Sequence, residues 1–307
     1  MSNASKEDIQ KEKERILQEW TSDNREKKTI ISFALLTIFF TVFGIALAVL
    51  TSKIQMVEVR YDSFCGTPAQ RAVCNMSVTF SETLPSPVYI YYELDNFYQN
   101  HRTYLNSKDL PQLKGEVRSI DELTSCDPVK SVGDLYPFQR YDLNGNPLSP
   151  WLPANPCGLI AKSMFNDTYN FTNPQGVQIP INEKNIAWVT DVQNVYKQPP
   201  NYKTIQWTDV TNEHFMVWMR PAGLPNFRKL WGRIEQDITP GTYTLTIVNN
   251  YDATVFSGQK SLIFQTVNAF GGKNILLTVC YFIAAGVSLI VFLYFCVRVV
   301  RKRKQLQ

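Results

Sequence analysis

The sequence predicts a membrane protein in which two transmembrane helices flank a mainly antiparallel β-sandwich ectodomain with long loop insertions. Three observations predict it. Two runs of more than twenty residues carry no charge. Four of the six cysteines lie between those runs. The same interval repeats short stretches in which apolar and polar residues alternate, the period of a half-buried strand.

Residues 30–50, IISFALLTIFFTVFGIALAVL, form the first run, and residues 275–297, ILLTVCYFIAAGVSLIVFLYFCV, the second. At about 1.5 Å per residue each reaches roughly 30 Å as a helix, the thickness of a bilayer core. The first run starts too far in and is too long for the apolar part of a cleaved signal peptide, and reads as an uncleaved anchor. Arg25, Lys27 and Lys28 precede it, and Arg298, Arg301, Lys302, Arg303 and Lys304 follow the second run. Both basic clusters are expected on the cytoplasmic side. The expected organisation is a cytosolic tail (1–29), a first span (30–50), a lumenal or extracellular ectodomain (51–274), a second span (275–297) and a basic cytosolic tail (298–307). Residues 51–274 hold nineteen Lys plus Arg against twenty Asp plus Glu, so the ectodomain is near neutral and nucleic-acid binding is not expected. Neither span contains Asp, Glu, Lys, Arg or His, which argues against an ion or proton path through this chain alone. Thr37, Thr41, Gly44 and Ala48 put a stripe of small side chains on one face of the first span, and such a stripe suits close packing against other helices.

Cys65, Cys74, Cys126 and Cys157 lie in the ectodomain; Cys280 and Cys296 lie in the second span and are expected to be free. An even count in an oxidising compartment implies two disulfides. Of the three possible connectivities, the sequential one is preferred: Cys65 with Cys74, and Cys126 with Cys157. Zinc is the rival, but there is no C-x-x-C knuckle and both histidines are distant in sequence. Asn75-Met-Ser, Asn166-Asp-Thr and Asn170-Phe-Thr are acceptor sequences for N-glycosylation on the side that charge selects, whereas Asn3-Ala-Ser falls in the cytosolic tail and should stay bare.

Strands are expected at SVTF, at VYIYYEL (88–94), at residues 213–220 and twice within 241–266, where Tyr243, Leu245 and Ile247 alternate with Thr242, Thr244 and Thr246 before a turn at NNYD. Short helices are expected over 94–105, with Asp95 or Asn96 as N-cap, and over 224–233. Residues 106–210, rich in Pro and Asn, read as long structured loops. The stretch 87–104, PVYIYYELDNFYQNHRTY, packs six aromatic rings and one of the two histidines into eighteen residues. Periodicity makes it a strand covered on both faces, running into a short helix. His101 and His214 sit in no nucleophile or metal motif, no glycine loop is placed to cradle phosphate, and the carboxylates form no pattern. No cofactor is expected.

The wording of several segments says more than their periodicity. YYELDNFYQNHRTYLNS, NPCGLIAKSMFNDTYNF, IAWVTD, EHFMVWMRPAGLPNFRKLWGRI, PGTYTLTIVNNYDATVFSGQKSLIF and GGKNILLTVCYF occur in this order between and into the spans. Together they resemble the cell-division-control-50 or ligand-effect-modulator family, accessory β-subunits of the type IV P-type ATPases that move phospholipids. Pro221 departs mildly from the family's small residues before Leu-Pro, and only one bridge is available near the first cysteines, where some members have more. The resemblance implies a non-catalytic subunit in a heterodimer with the ATPase catalytic subunit. It would be needed for the pump's folding, exit from the endoplasmic reticulum and transport of aminophospholipids or related lipids to the cytosolic leaflet. It implies membrane lipids as neighbours, and residence in the endoplasmic reticulum, Golgi and endosomes, and plasma membrane. Two readings compete: a two-span ligand-gated channel subunit, which shares the topology, and a glycan-binding ectodomain, which would use exposed aromatics.

Overall fold

The structure is a computed structural model that describes residues 6–70, 72–136, 140–268, 271–273 and 275–305. In chain order its helices are α1 (Lys6–Ser52), α2 (Asp62–Cys65), α3 (Arg102–Asn106), α4 (Leu110–Leu113), α5 (Leu159–Lys162), α6 (Val189–Asn194), α7 (Tyr202–Ile205), α8 (Glu213–Met219) and α9 (Ile275–Gln305). Its strands are β1 (Met56–Arg60), β2 (Val73–Phe80), β3 (Val88–Leu94), β4 (Thr168–Thr172), β5 (Gln178–Ile179), β6 (Phe227–Ile234), β7 (Gly241–Val248) and β8 (Lys260–Gln265). The chain divides into a helical unit built on α1 and α9 and a β-rich body, Gln55–Val267.

In the helical unit, α1 and α9 each contain a window long and apolar enough to cross a bilayer, Asn24–Ser52 and Ile275–Lys302. Only 11% and 17% of these windows are buried inside the protein. A soluble core helix would be covered, whereas here Leu35, Ile38, Leu276 and Ile290 stand exposed. Helix α1 starts at Lys6, so the segment ahead of the first span continues the same helix.

The body is a sandwich of two four-stranded antiparallel sheets. Sheet A has the order β1-β8-β3-β6 and sheet B the order β2-β7-β4-β5. Tyr243, Leu245 and Ile247 of β7 point inward and are buried, while Thr242 and Thr244 are exposed. Phe80 of β2 meets Phe264 of β8 edge to face at 5.5 Å, and Phe171 of β4 lies 5.0 Å from the same ring. These contacts join the two sheets through one core. Each such ring contributes about 1.5–3 kcal/mol by burial. In β3, Val88, Ile90, Tyr92 and Leu94 are buried, and Tyr89, Tyr91 and Glu93 on the other face are half-buried rather than covered.

Four local expectations are corrected. Residues 213–220 hold helix α8, not a strand, because Phe215, Met216, Trp218 and Met219 are buried together, a spacing that only a helix places on one face. Residues 224–233 hold most of strand β6, not a helix. A bulge opposite Ile90 and Tyr91 shifts the register, so the buried positions pass from Phe227, Lys229 and Trp231 to Gly232 and Ile234 and the alternation is broken. After β3 the chain turns through Asn96, at φ 59°, and helix starts only at Arg102 with His101 as N-cap. The region read as loops also contains β4, an inner strand of sheet B, and β5.

Candidate partner-docking site

Apart from GGKNILLTVCYF, which belongs to the helical unit, segments that carry the family likeness are far apart in the sequence but pack on one another in the body. Tyr92 stacks on Phe165 with centroids 4.1 Å apart and planes 3° from parallel. Phe165 also meets Tyr251 at 5.1 Å, and Tyr169 meets Trp231 edge to face at 5.1 Å. Phe97 lies against Trp218 and Phe256, and the Tyr104 hydroxyl shares a 2.7 Å hydrogen bond with Ser163. Stacked and edge-on pairs add about 0.5–1.5 kcal/mol each to their burial. Most of the aromatic stretch from Pro87 to Tyr104 is therefore core. Of its aromatic and imidazole rings, Tyr98 and His101 are left exposed.

One buried polar cluster crosses the sandwich. Asp167, in the loop before β4, has no exposed surface. Its Oδ2 accepts from the Tyr61 hydroxyl and from Lys260 Nζ, both at 2.7 Å, and its Oδ1 accepts from the backbone N–H groups of Asn250 and Tyr251 at 2.6 Å. Lys260 also donates to Asn249 Oδ1 at 2.6 Å and to the Tyr251 carbonyl. Burial lowers the Lys260 pKa and Asp167 opposes that shift; burial also drives the Tyr61 hydroxyl well above its ordinary value. The pair sits where neither charge has water, so each depends on the other.

A second construction holds α8. Asn212 caps its start by accepting from His214 N–H at 2.9 Å, and Glu213 accepts three backbone N–H groups, from Asn185, Ile186 and Ala187. At the other end Lys229 Nζ donates to the carbonyls of Val217, Trp218 and Arg220 at 3.0, 2.9 and 2.6 Å, so a buried cation closes the negative end of the helix. Burial lowers the Lys229 pKa to about 7. Arg220 forks onto Asp191 of α6 and lies 4.8 Å over the Trp188 ring. Around this construction Trp188, Val189, Tyr98 and Leu224 are more than half exposed, and Asn100 ties the two turns by donating to the Gly223 carbonyl at 3.0 Å.

The structure places the other singled-out residues as follows. Cys65 bonds to Cys74, and Cys126 to Cys157, while Cys280 and Cys296 carry no bridge. Among the described residues no three His, Cys, Asp or Glu side chains are grouped to hold a metal ion. Asn75 on β2 and Asn170 on β4 are exposed. Asn166 is half-buried at a cavity of about 210 Å³ whose wall includes Phe97, Trp207, Tyr251 and Phe256. In the helical unit Gly44 is buried, and a Cβ there would stand 3.2 Å from the Phe282 ring of α9; Thr37, Thr41 and Ala48 are half-buried. His214 stacks on Trp231 at 4.0 Å and bonds to Glu183 at 2.9 Å, a structural setting. Sequence reasoning missed Asp167, Lys260, Lys229 and Arg220, whose partners lie outside any local motif.

Against the model of the LEM3 (ligand-effect modulator 3) family, also called the CDC50 family, the chain matches over residues 19–305. The chain belongs to the CDC50 family. It is similar to ALA-interacting subunit 3 of Arabidopsis thaliana, 31% identical over 303 residues that cover 90% of this chain and 81% of the relative. Cell cycle control protein 50A of Mus musculus is 31% identical over 304 residues, covering 84% of this chain and 79% of the relative. Cell cycle control protein 50B of Homo sapiens is 32% identical over 298 residues, covering 80% and 81%. Like its family, this CDC50 protein is a membrane protein, with two apolar spans around an antiparallel-sheet body.

Proposed function

We propose that this CDC50 protein is the accessory β-subunit of a phospholipid flippase. The observation that carries the reading is the family match across residues 19–305, which takes in both spans and the whole body. The α-subunit, a type IV P-type ATPase, performs the hydrolysis and the lipid translocation. The β-subunit assists its folding, its exit from the endoplasmic reticulum and its transport cycle, and accompanies it to the Golgi, endosomes or plasma membrane. The body lies in the lumen or outside the cell, as the basic flanks of both spans imply. An accessory role also suits the Asp167–Lys260 and Lys229 clusters, whose charged atoms are bonded to other groups of the body.

The surface we assign to the pump is the rim formed by Trp188, Val189, Tyr98 and Leu224. Each of the four is more than half exposed, Arg220 lies over the Trp188 ring, and Trp, Tyr and Arg are the residue types enriched at interface centres. Purification of the tagged full-length protein from its own membranes in mild detergent tests the function. A multi-span P-type ATPase is expected at equal stoichiometry. An intact, glycosylated protein that brings no ATPase with it sinks the reading.

A further inference from the structure

At the basic end of α9, Tyr294, Val297, Arg298, Arg301 and Lys302 line a groove of about 350 Å³. Counted from Tyr294, the others stand three, four, seven and eight residues on, a spacing that puts all five on one face of the helix. The volume falls within the range of small-ligand sites. The two ends of the groove differ in chemistry. Tyr294 and Val297 are exposed and belong to the apolar window Ile275–Lys302. Arg298, Arg301 and Lys302 bring three positive charges together within little more than one turn. Helix α1 fixes the first of them: Glu26 Oε1 lies 3.2 Å from Arg298 Nε, and the Glu26 side chain is only 8% exposed. Among the described residues Arg301 and Lys302 have no acidic partner. The cations of the groove therefore outnumber the one carboxylate beside it.

We propose that this groove binds the headgroup of one anionic phospholipid from the cytosolic leaflet, with its phosphate on the cations and its acyl chains along Tyr294 and Val297. A guanidinium fork matches the oxygens of a phosphate, and a lysine adds a point charge. The apolar wall selects a lipid over a soluble anion, which would leave Tyr294 and Val297 uncovered. The surplus of positive charge selects an anionic lipid over a choline lipid, which brings a cation of its own among three others. Basic residues at the cytosolic end of a span attract anionic lipids in general. The groove adds a fixed place, because Arg298 is held from α1 and the five side chains enclose a concave surface. The inference rests on the orientation given to the two tails and on no partner protein.

Native mass spectrometry of the full-length protein in detergent, titrated with phosphatidylserine or phosphatidylcholine, reads bound lipids one at a time. One phosphatidylserine should bind at concentrations that leave phosphatidylcholine free. Arg301→Gln with Lys302→Gln should weaken that binding by roughly tenfold or more. Lys28→Gln with Lys304→Gln removes the same charge from faces about 200° round each helix from Glu26 and Lys302, and should leave the binding intact. Equal loss in the two double variants shows that total charge rather than the groove holds the lipid, and overturns the inference. Unchanged binding after Arg301→Gln with Lys302→Gln overturns it as well, and so does equal binding of phosphatidylcholine. Glycerophosphoserine, the same headgroup without acyl chains, should fail to displace the lipid at equal concentration. Displacement makes the groove a site for a soluble anion and overturns the assignment to lipid. Cleavage of residues 298–307 by protease on the cytosolic side of sealed microsomes reads the orientation, and a protected tail overturns the orientation and the inference together. Every readout is made on this chain without an ATPase, so failure of the flippase reading is a separate result.

Discussion

At the scale of single residues, Lys260 and Asp167 set the tolerance of the body to change. Both are buried, and each satisfies the other, with Asn249, Tyr61 and two backbone N–H groups completing the set. Lys260→Met leaves a buried carboxylate without its counter-charge, and should cost about 3–5 kcal/mol. Thermal unfolding of the detergent-solubilised chain should show a clearly lowered midpoint; an unchanged midpoint contradicts the role given to the pair. Lys229 supplies a pH-dependent counterpart. Its pKa falls from the ordinary value of about 10.4 to about 7 in the fold. Between those values the unfolded chain holds a proton that the folded chain has released, so this residue's contribution to stability rises with pH above about 7 and is flat below it. Unfolding midpoints measured from pH 7 to 9.5 should show the wild type gaining on Lys229→Met as pH rises, and parallel profiles would refute it. None of these residues was legible in the sequence. Asp167 reads there only as the middle of a sequon, and Lys260 as one more polar position in a strand.

At the scale of elements, legibility followed the regularity of the local pattern. β3 and β7 alternate without interruption and were readable to their ends. α8 and β6 were read as each other's type. The seven residues of α8 alternate Phe215, Val217 and Met219 by coincidence, while the bulge in β6 removes the period that would have marked it. What decides α8 is non-local: the Lys229 clamp and the carboxylate of Glu213 satisfy backbone groups from other segments. The bridge Cys126–Cys157 ties the turn at the end of a 3₁₀ segment to the chain just before α5. Cys157→Ser opens it and should cost about 2–5 kcal/mol. Pulse labelling with digestion of immature glycans should show the variant retained in the endoplasmic reticulum; equal arrival at the cell surface would count against it. In the helical unit, Gly44→Leu drives a side chain into the space of the Phe282 ring, which has to turn aside or let α1 and α9 part. A lower yield of assembled complex, with the body's bridges still formed, is the expected result.

At the scale of the whole molecule, the two spans, the β-rich body and the cysteine-bearing loops were all readable, because membranes and oxidising compartments impose composition over long intervals. The meeting of the likeness-bearing segments was not. Trp188 reaches Arg220, and Tyr92 reaches Phe165, across intervals that no periodicity spans. The rim formed there makes a prediction about assembly. Trp188→Ser together with Leu224→Ser should leave the protein folded and glycosylated, since both side chains are mostly exposed, but should reduce the ATPase recovered with it severalfold. Undiminished recovery would move the interface to another surface.

The strand order also has a consequence in time. In sheet A, β8 lies between β1 and β3, and in sheet B, β7 lies between β2 and β4. The strands that join each sheet thus come from residues 241–265, the last part of the body to be synthesised, and pairs such as Met56 with Gln265 close across almost its entire length. A nascent chain that ends after β6 can pair β3 with β6 and β4 with β5, but its β1 and β2 have nothing to pair on. Sheet B can close only once β7 has been made and sheet A only once β8 has, the last strand before the second span. The body is therefore committed late and nearly all at once, when the chain is about to be anchored at both ends.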